Sequence, residues 1–116
     1  CCCLENRKIK CNNKETNRKE SNSILSERAL REIYVKGFEI CVKESNPGLI
    51  MTSYNIINSV RASENAELIT GILRNEWGFK GLVITDWWNN AIKRAEVSAG
   101  NDIRMPSTCN DRSSPY

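Results

Sequence analysis

The stretch Gly81-Leu82-Val83-Ile84-Thr85-Asp86-Trp87-Trp88 decides how the rest of the chain is read. A glycine opens it, a run of apolar and β-branched residues follows without alternation, and an acid ends the run abruptly. Such a run suits a strand of a parallel sheet with helices on its outer face. Upstream, Ser63 is placed as an N-cap, Glu64 and Glu67 stand in the first turn, and Leu68, Ile69, Ile72 and Leu73 form an apolar stripe that stops near Trp77-Gly78. Downstream, Ala91 to Ala99 reads as a helix with Gly100 as its C′ residue, and Ile103-Arg104-Met105 before Pro106 as one more short strand.

Farther upstream the alternation repeats. Asn46-Pro47-Gly48 breaks the chain, because proline disfavours a helical conformation in the residue before it and glycine tolerates a tight turn. The apolar run from Leu49 to Ser53 then reads as a strand closed by Tyr54, and a loop of Asn, Ser and Arg joins it to Ser63. Before the breaker, Ser26 is a plausible N-cap with Glu27 at the positive end of a helix. That helix runs to about Ser45, with Leu30, Ile33, Tyr34, Gly37, Phe38 and Cys41 at three- and four-residue steps. Residues 1–23 are polar and mostly loop. Helix, strand, helix, strand, helix, strand with short connections predicts an α/β fold built from βαβ units.

Composition bounds the reading. With 116 residues, 40% hydrophobic and 27% charged, the chain is that of a small globular unit. It is shorter than the roughly 250 residues of a complete eight-stranded α/β barrel, so a barrel reading makes it a fragment. A net charge of +3 is too weak to imply a nucleic-acid partner, and the basic cluster from Arg7 to Lys19 reads as a solvated face. No apolar run approaches a membrane span, so no membrane partner is expected. The six cysteines, Cys1, Cys2, Cys3, Cys11, Cys41 and Cys109, show no paired C-x-x-C spacing. Neither a metal site nor a cofactor is therefore expected, and a reduced, cytoplasmic setting is favoured. An open-sheet nucleotide-binding domain would need a glycine-rich phosphate loop, which this sequence lacks.

In parallel α/β folds, reacting groups gather at the carboxyl ends of the strands. Tyr54 and Asp86 are placed there. A carboxylate at the rim of a partly dehydrated pocket can attack an anomeric carbon, and tryptophan faces suit the C–H patches of sugar rings. Spacing alone favours a plainer role, in which Asp86 caps the following helix and Trp87 or Trp88 packs between layers. Trp77 and Phe79 read as packing residues.

Five blocks in register carry a resemblance. They are Cys11-Asn12-Asn13-Lys14-Glu15-Thr16-Asn17-Arg18, Ser26-Glu27-Arg28-Ala29-Leu30-Arg31-Glu32, Met51-Thr52-Ser53-Tyr54-Asn55, Gly81 to Trp87, and Ala99 to Pro106. Together they resemble glycoside hydrolase family 3, the β-glucosidase-like family. The resemblance implies that residues 1–106 are about the C-terminal half of a (β/α)8 TIM-type barrel, with 107–116 a polar tail beginning a connection. It implies hydrolysis of terminal non-reducing β-D-glucosyl or xylosyl residues by a retaining mechanism. Asp86 would be the nucleophile, Tyr54 and Trp87 would line the sugar subsite, and Lys10 would bond the sugar hydroxyls.

The sequence departs from the family pattern beside Lys10, which runs straight into Cys11 where the family has His-Phe and a small residue; the chain contains no histidine. The absence of histidine also argues against the branch that cleaves N-acetylglucosaminides with a histidine acid. Neither Glu15 nor Glu64 is an obvious acid/base, and the resemblance implies that this glutamate lies in a second domain. The alternative reading is a non-catalytic remnant that at most binds carbohydrate. Either way the expected partner is a β-linked glycoside or oligosaccharide.

Overall fold

A computed structural model describes residues 16–106. Lys10, Glu15, Cys1, Cys2, Cys3, Cys11, Cys109 and the tail 107–116 lie outside the described residues. The described part alternates helices with short strands, and its central strands run parallel.

Ser26 caps the first helix as predicted, its hydroxyl accepting the Ala29 N–H at 3.2 Å. The helix is not one regular rod. It begins as α1 (Glu27–Ala29), widens into a π turn (Leu30–Tyr34) and continues as α2 (Lys36–Ser45). The wide turn closes on a 2.9 Å bond from Val35 N to Leu30 O. One inserted residue rotates everything after it by about 100°. Ile33 therefore stands 70% exposed, while Val35, Phe38 and Val42 carry the buried face. The predicted stripe through Ile33 and Tyr34 is corrected on this point. Asn46 ends α2 in the left-handed conformation.

Strand β2 (Leu49–Met51) pairs in parallel with β5 (Leu82–Ile84), Ile50 opposite Val83. Gly81 is required at the start of β5, because a Cβ there would stand 2.6 Å from the Gly48 carbonyl oxygen. A π-helix (Glu67–Glu76) crosses between the two strands and buries the predicted Leu68, Ile69, Ile72 and Leu73. Ile50 and Val83 face it, packed with Ile69, Leu73 and Phe79. Each fully buried side chain of this size stabilises the fold by about 1.5–3 kcal/mol. The opposite sheet face is apolar but open, with Leu49 39% and Leu82 48% exposed.

Helix α3 (Lys93–Ala99) follows β5 and begins slightly later than the predicted Ala91. Gly100 ends it in left-handed geometry. The chain then returns beside β5, where the strand predicted at Ile103–Met105 is reduced to a parallel bridge between Ile103 and Ile84. Arg74 fastens the amino-terminal side of this layer. Its guanidinium donates to the carbonyls of Gly81 (3.3 Å) and Gly100 (3.1 Å) and to Asp102 (2.6 Å).

Two further expectations are corrected. The segment between Tyr54 and Ser63 is not simply loop: β3 (Ile56–Ile57) and β4 (Val60–Arg61) form a hairpin, and β3 also pairs with β1 (Asn22–Ser23). Nor does Ser63 cap the helix. It lies buried in a 3₁₀ turn, and Asn65 does the capping by accepting the Leu68 N–H at 3.0 Å. Glu64 accepts the Ile92 N–H at 2.5 Å, so it serves the start of α3 rather than its own helix.

Candidate active site

Asp86 sits immediately beyond β5, at the carboxyl end of the parallel pair, and is 4% exposed. One carboxylate oxygen accepts the Trp87 N–H at 2.8 Å, which fixes the acid against its own turn. The helix-capping role that spacing favours is not what the structure has, since α3 starts after Ile92.

Tyr54 reaches the same place from β2. Its strand ends at Met51, short of the predicted Ser53, although Thr52 N still bonds Ile84 O at 2.9 Å. The Tyr54 hydroxyl donates to the Trp87 carbonyl at 2.6 Å and also hydrogen-bonds the Asp86 side chain, so two acceptors compete for one phenolic proton. Burial and the neighbouring Asp86 carboxylate together hold its pKa above the usual phenol value. The hydroxyl thus stays a protonated donor at neutral pH.

Trp87 and Trp88 complete the turn with ring centroids 5.3 Å apart. Trp87 is 41% and Trp88 66% exposed, so neither is the interlayer packing residue that spacing alone favours. Trp77 and Phe79 do pack in the core as expected. Trp88 has a left-handed backbone (φ 50°), held by a bond from its N–H to Met105 O at 3.3 Å. An exposed aromatic pair beside a buried carboxylate and a phenol offers an apolar platform with polar groups at one edge.

The structure brings Tyr54, Asp86 and Trp87 together, and Lys10 lies outside the described residues. It adds groups that the sequence reading left in the basic cluster. Arg18 stands 5.4 Å and Lys19 5.3 Å from the centre of the Tyr54 ring, within cation–π range. Their signal in the sequence was faint, because a lysine or arginine in a polar segment reads as solvated. Among the described residues no group of three or more metal-ligating side chains gathers.

A parallel α/β unit with a buried acid and aromatic side chains at its strand ends is the architectural class defined here. The description of the glycosyl hydrolase family 3 N terminal domain matches residues 12–110, and the chain belongs to that family. It is 60% identical over 94 residues to beta-glucosidase A of Butyrivibrio fibrisolvens, covering 81% of this chain and 11% of that protein. Beta-glucosidase B of Emericella nidulans is 50% identical over 95 residues, covering 82% of this chain and 11% of that protein. Among solved structures, the Bifidobacterium adolescentis GH3 beta-glucosidase superposes with a TM-score of 0.83 at 42% identity, covering 87% of this chain and 15% of that one. Beta-glucosidase 3B of Thermotoga neapolitana in complex with α-D-glucose gives 0.79 at 48% identity, covering 82% and 13%. The chain thus spans roughly a tenth of the length of these relatives. No described helix is long and apolar enough to cross a membrane.

Proposed function

We propose that this chain is part of the catalytic (β/α)8 barrel of an exo-acting β-glucosidase, in which Asp86 is the nucleophile that attacks the anomeric carbon of a terminal β-linked glucosyl or xylosyl residue. The observation that carries the reading is the buried Asp86 carboxylate at a parallel strand end, held by Trp87 N–H and by the Tyr54 hydroxyl. Fixed carboxylate geometry is what nucleophilic catalysis needs, because a near-attack alignment removes much of the entropic barrier. Trp87 would stack on the sugar, with Tyr54 and Lys10 bonding its hydroxyls. The parallel neighbours β2, β5 and Ile103, joined through the helix Glu67–Glu76 and α3, support a reading as successive barrel strands.

Retention requires a second carboxyl about 5–5.5 Å from the nucleophile, first protonating the leaving oxygen and then activating water. Several described carboxylates are already committed: Glu20 to Arg61 and Asn90, Glu64 to Ile92 N–H, Glu96 to Asn89 and Arg104. The resemblance to family 3 implies that the acid/base is a glutamate from another part of the full enzyme. The same observation favours a second reading, a non-catalytic piece that at most binds carbohydrate. Grafting this segment in place of its counterpart in the Butyrivibrio fibrisolvens enzyme separates the two. We expect hydrolysis of p-nitrophenyl β-glucoside that Asp86→Ala abolishes, and a slow fluorinated glucoside should label the Asp86 peptide covalently. Activity that survives Asp86→Ala refutes the nucleophile assignment; a folded but inactive graft that still binds glucose favours the second reading.

A further inference from the structure

We infer that Glu20, Arg61 and Asn90 form a lock that positions Tyr54 and the Trp87-Trp88 turn; its catalytic meaning rests on the function proposed above. The Arg61 guanidinium is the centre. One amino group donates to both Glu20 oxygens at 2.9 and 2.8 Å, and the other donates to Lys19 O at 2.7 Å and to Tyr54 O at 3.4 Å. Asn90 then donates to Glu20 at 2.8 Å, and Lys19 Nζ donates to Trp88 O at 3.0 Å.

Three segments far apart in sequence meet at this point: the turn ending at Glu20, the β3–β4 hairpin that follows Tyr54, and the turn that follows Asp86. The Arg61 side chain is only 15% exposed, so its bonds are shielded relative to an ordinary surface pair. Its planar fork binds carboxylate and carbonyls at once, which a lysine ammonium does less well. Hydrogen bonds from Asn90 and Arg61 hold the Glu20 carboxyl below its usual pKa, so the lock is ionised at neutral pH. The left-handed backbone of Trp88 is a conformation a tryptophan keeps only where its surroundings over-determine it. The Lys19 bond to its carbonyl belongs to that restraint, and Arg61 in turn holds the Lys19 carbonyl.

The test uses the grafted full-length enzyme, with Arg61→Gln, Arg61→Lys and Asn90→Ala compared by amide hydrogen exchange and by steady-state kinetics. Opening the lock should speed exchange at the Trp87 and Trp88 amides about tenfold and leave Leu82–Ile84 unchanged, because local opening is read separately from global unfolding. KM for p-nitrophenyl β-glucoside should rise about tenfold with a smaller change in kcat, as loss of a preformed subsite predicts. Arg61→Lys should recover part of both effects, and Asn90→Ala, which removes one hydrogen bond to Glu20 and leaves those of Arg61, should give a milder version of each. Unchanged exchange at Trp87 and Trp88 in Arg61→Gln overturns the inference, as does a rise that extends equally to Leu82–Ile84. An inactive parent graft whose Trp87 and Trp88 amides still respond to Arg61→Gln refutes the proposed activity and leaves the lock standing.

Discussion

Replacing Tyr54 with phenylalanine removes one oxygen atom and leaves the ring beneath Arg18 and Lys19 in place. The lost hydroxyl bonds the Trp87 carbonyl at 2.6 Å and the Asp86 side chain. A hydrogen bond to a charged group contributes about 1.5–3 kcal/mol, against about 1 kcal/mol for a neutral one. If the bond to Asp86 holds the carboxylate in its attacking orientation, its loss corresponds to about a 10- to 100-fold drop in kcat/KM, at 1.4 kcal/mol per decade. Most of that drop should fall on kcat, because a carboxylate that loses the Tyr54 hydroxyl is held less firmly in its attacking orientation. The assay is p-nitrophenol release by the grafted enzyme and its Tyr54→Phe variant, with melting temperatures measured alongside. The raised pKa of Tyr54 adds a pH signature. A group whose folded pKa is raised gives stability that is complete below its unfolded value and lost as pH climbs through the folded one. The Tyr54 effect should therefore be constant across neutral pH and fade only above the ordinary phenol range. A kcat/KM within twofold of the parent, or a loss matched by the unfolded fraction alone, refutes the reasoning.

Further outcomes are expected elsewhere in the molecule. Gly100→Ala should lower the melting temperature of the grafted enzyme, since φ is +106° there and a Cβ would stand 2.7 Å from Thr70 Oγ1; the cost is about 1–3 kcal/mol, and an unchanged melt contradicts it. Lys36 and Lys43 hydrogen-bond Glu39 and hold its carboxyl at about 2, so an NMR titration should find it ionised throughout mild acid. Because that pKa is depressed, the contribution of Glu39 is present above the unfolded value and disappears as pH falls toward 2; a midpoint near 4 would show that the lysines do not hold it. The isolated chain should aggregate or melt without cooperativity, because Leu49 and Leu82 stand 39% and 48% exposed on an open sheet face. A sharp two-state transition in a monomer would count against this.

The parallel α/β pattern was legible because its signals are local. The apolar stripe Leu68, Ile69, Ile72 and Leu73, the run Leu82–Ile84 and the breaker Asn46-Pro47-Gly48 each act within a few residues, where backbone geometry and periodicity suffice. What failed also failed locally. Ser63 and Asn65 are both acceptable caps two residues apart, and only the burial of Ser63 in its 3₁₀ turn gives the role to Asn65. The π turn at Leu30–Tyr34 moved the buried face from Ile33 to Val35, and a straight helical count cannot register an inserted residue.

By itself the sequence determined that Asp86 follows an apolar strand with tryptophan after it, and that Tyr54 lies just beyond another; strand ends are set by residues adjacent in the chain. Only the tertiary structure decided that Tyr54 bonds Asp86 and Trp87, that Arg18 and Lys19 stand over its ring, and that Arg61 joins Glu20 and the Tyr54 backbone. Those contacts span separations of 33 residues from Tyr54 to Trp87, 41 from Arg61 to Glu20 and 70 from Asn90 to Glu20. Polar side chains in three separate segments carry no periodicity that pairs one with another. Their partners are chosen when the parallel strands β2 and β5 fix where the loops meet.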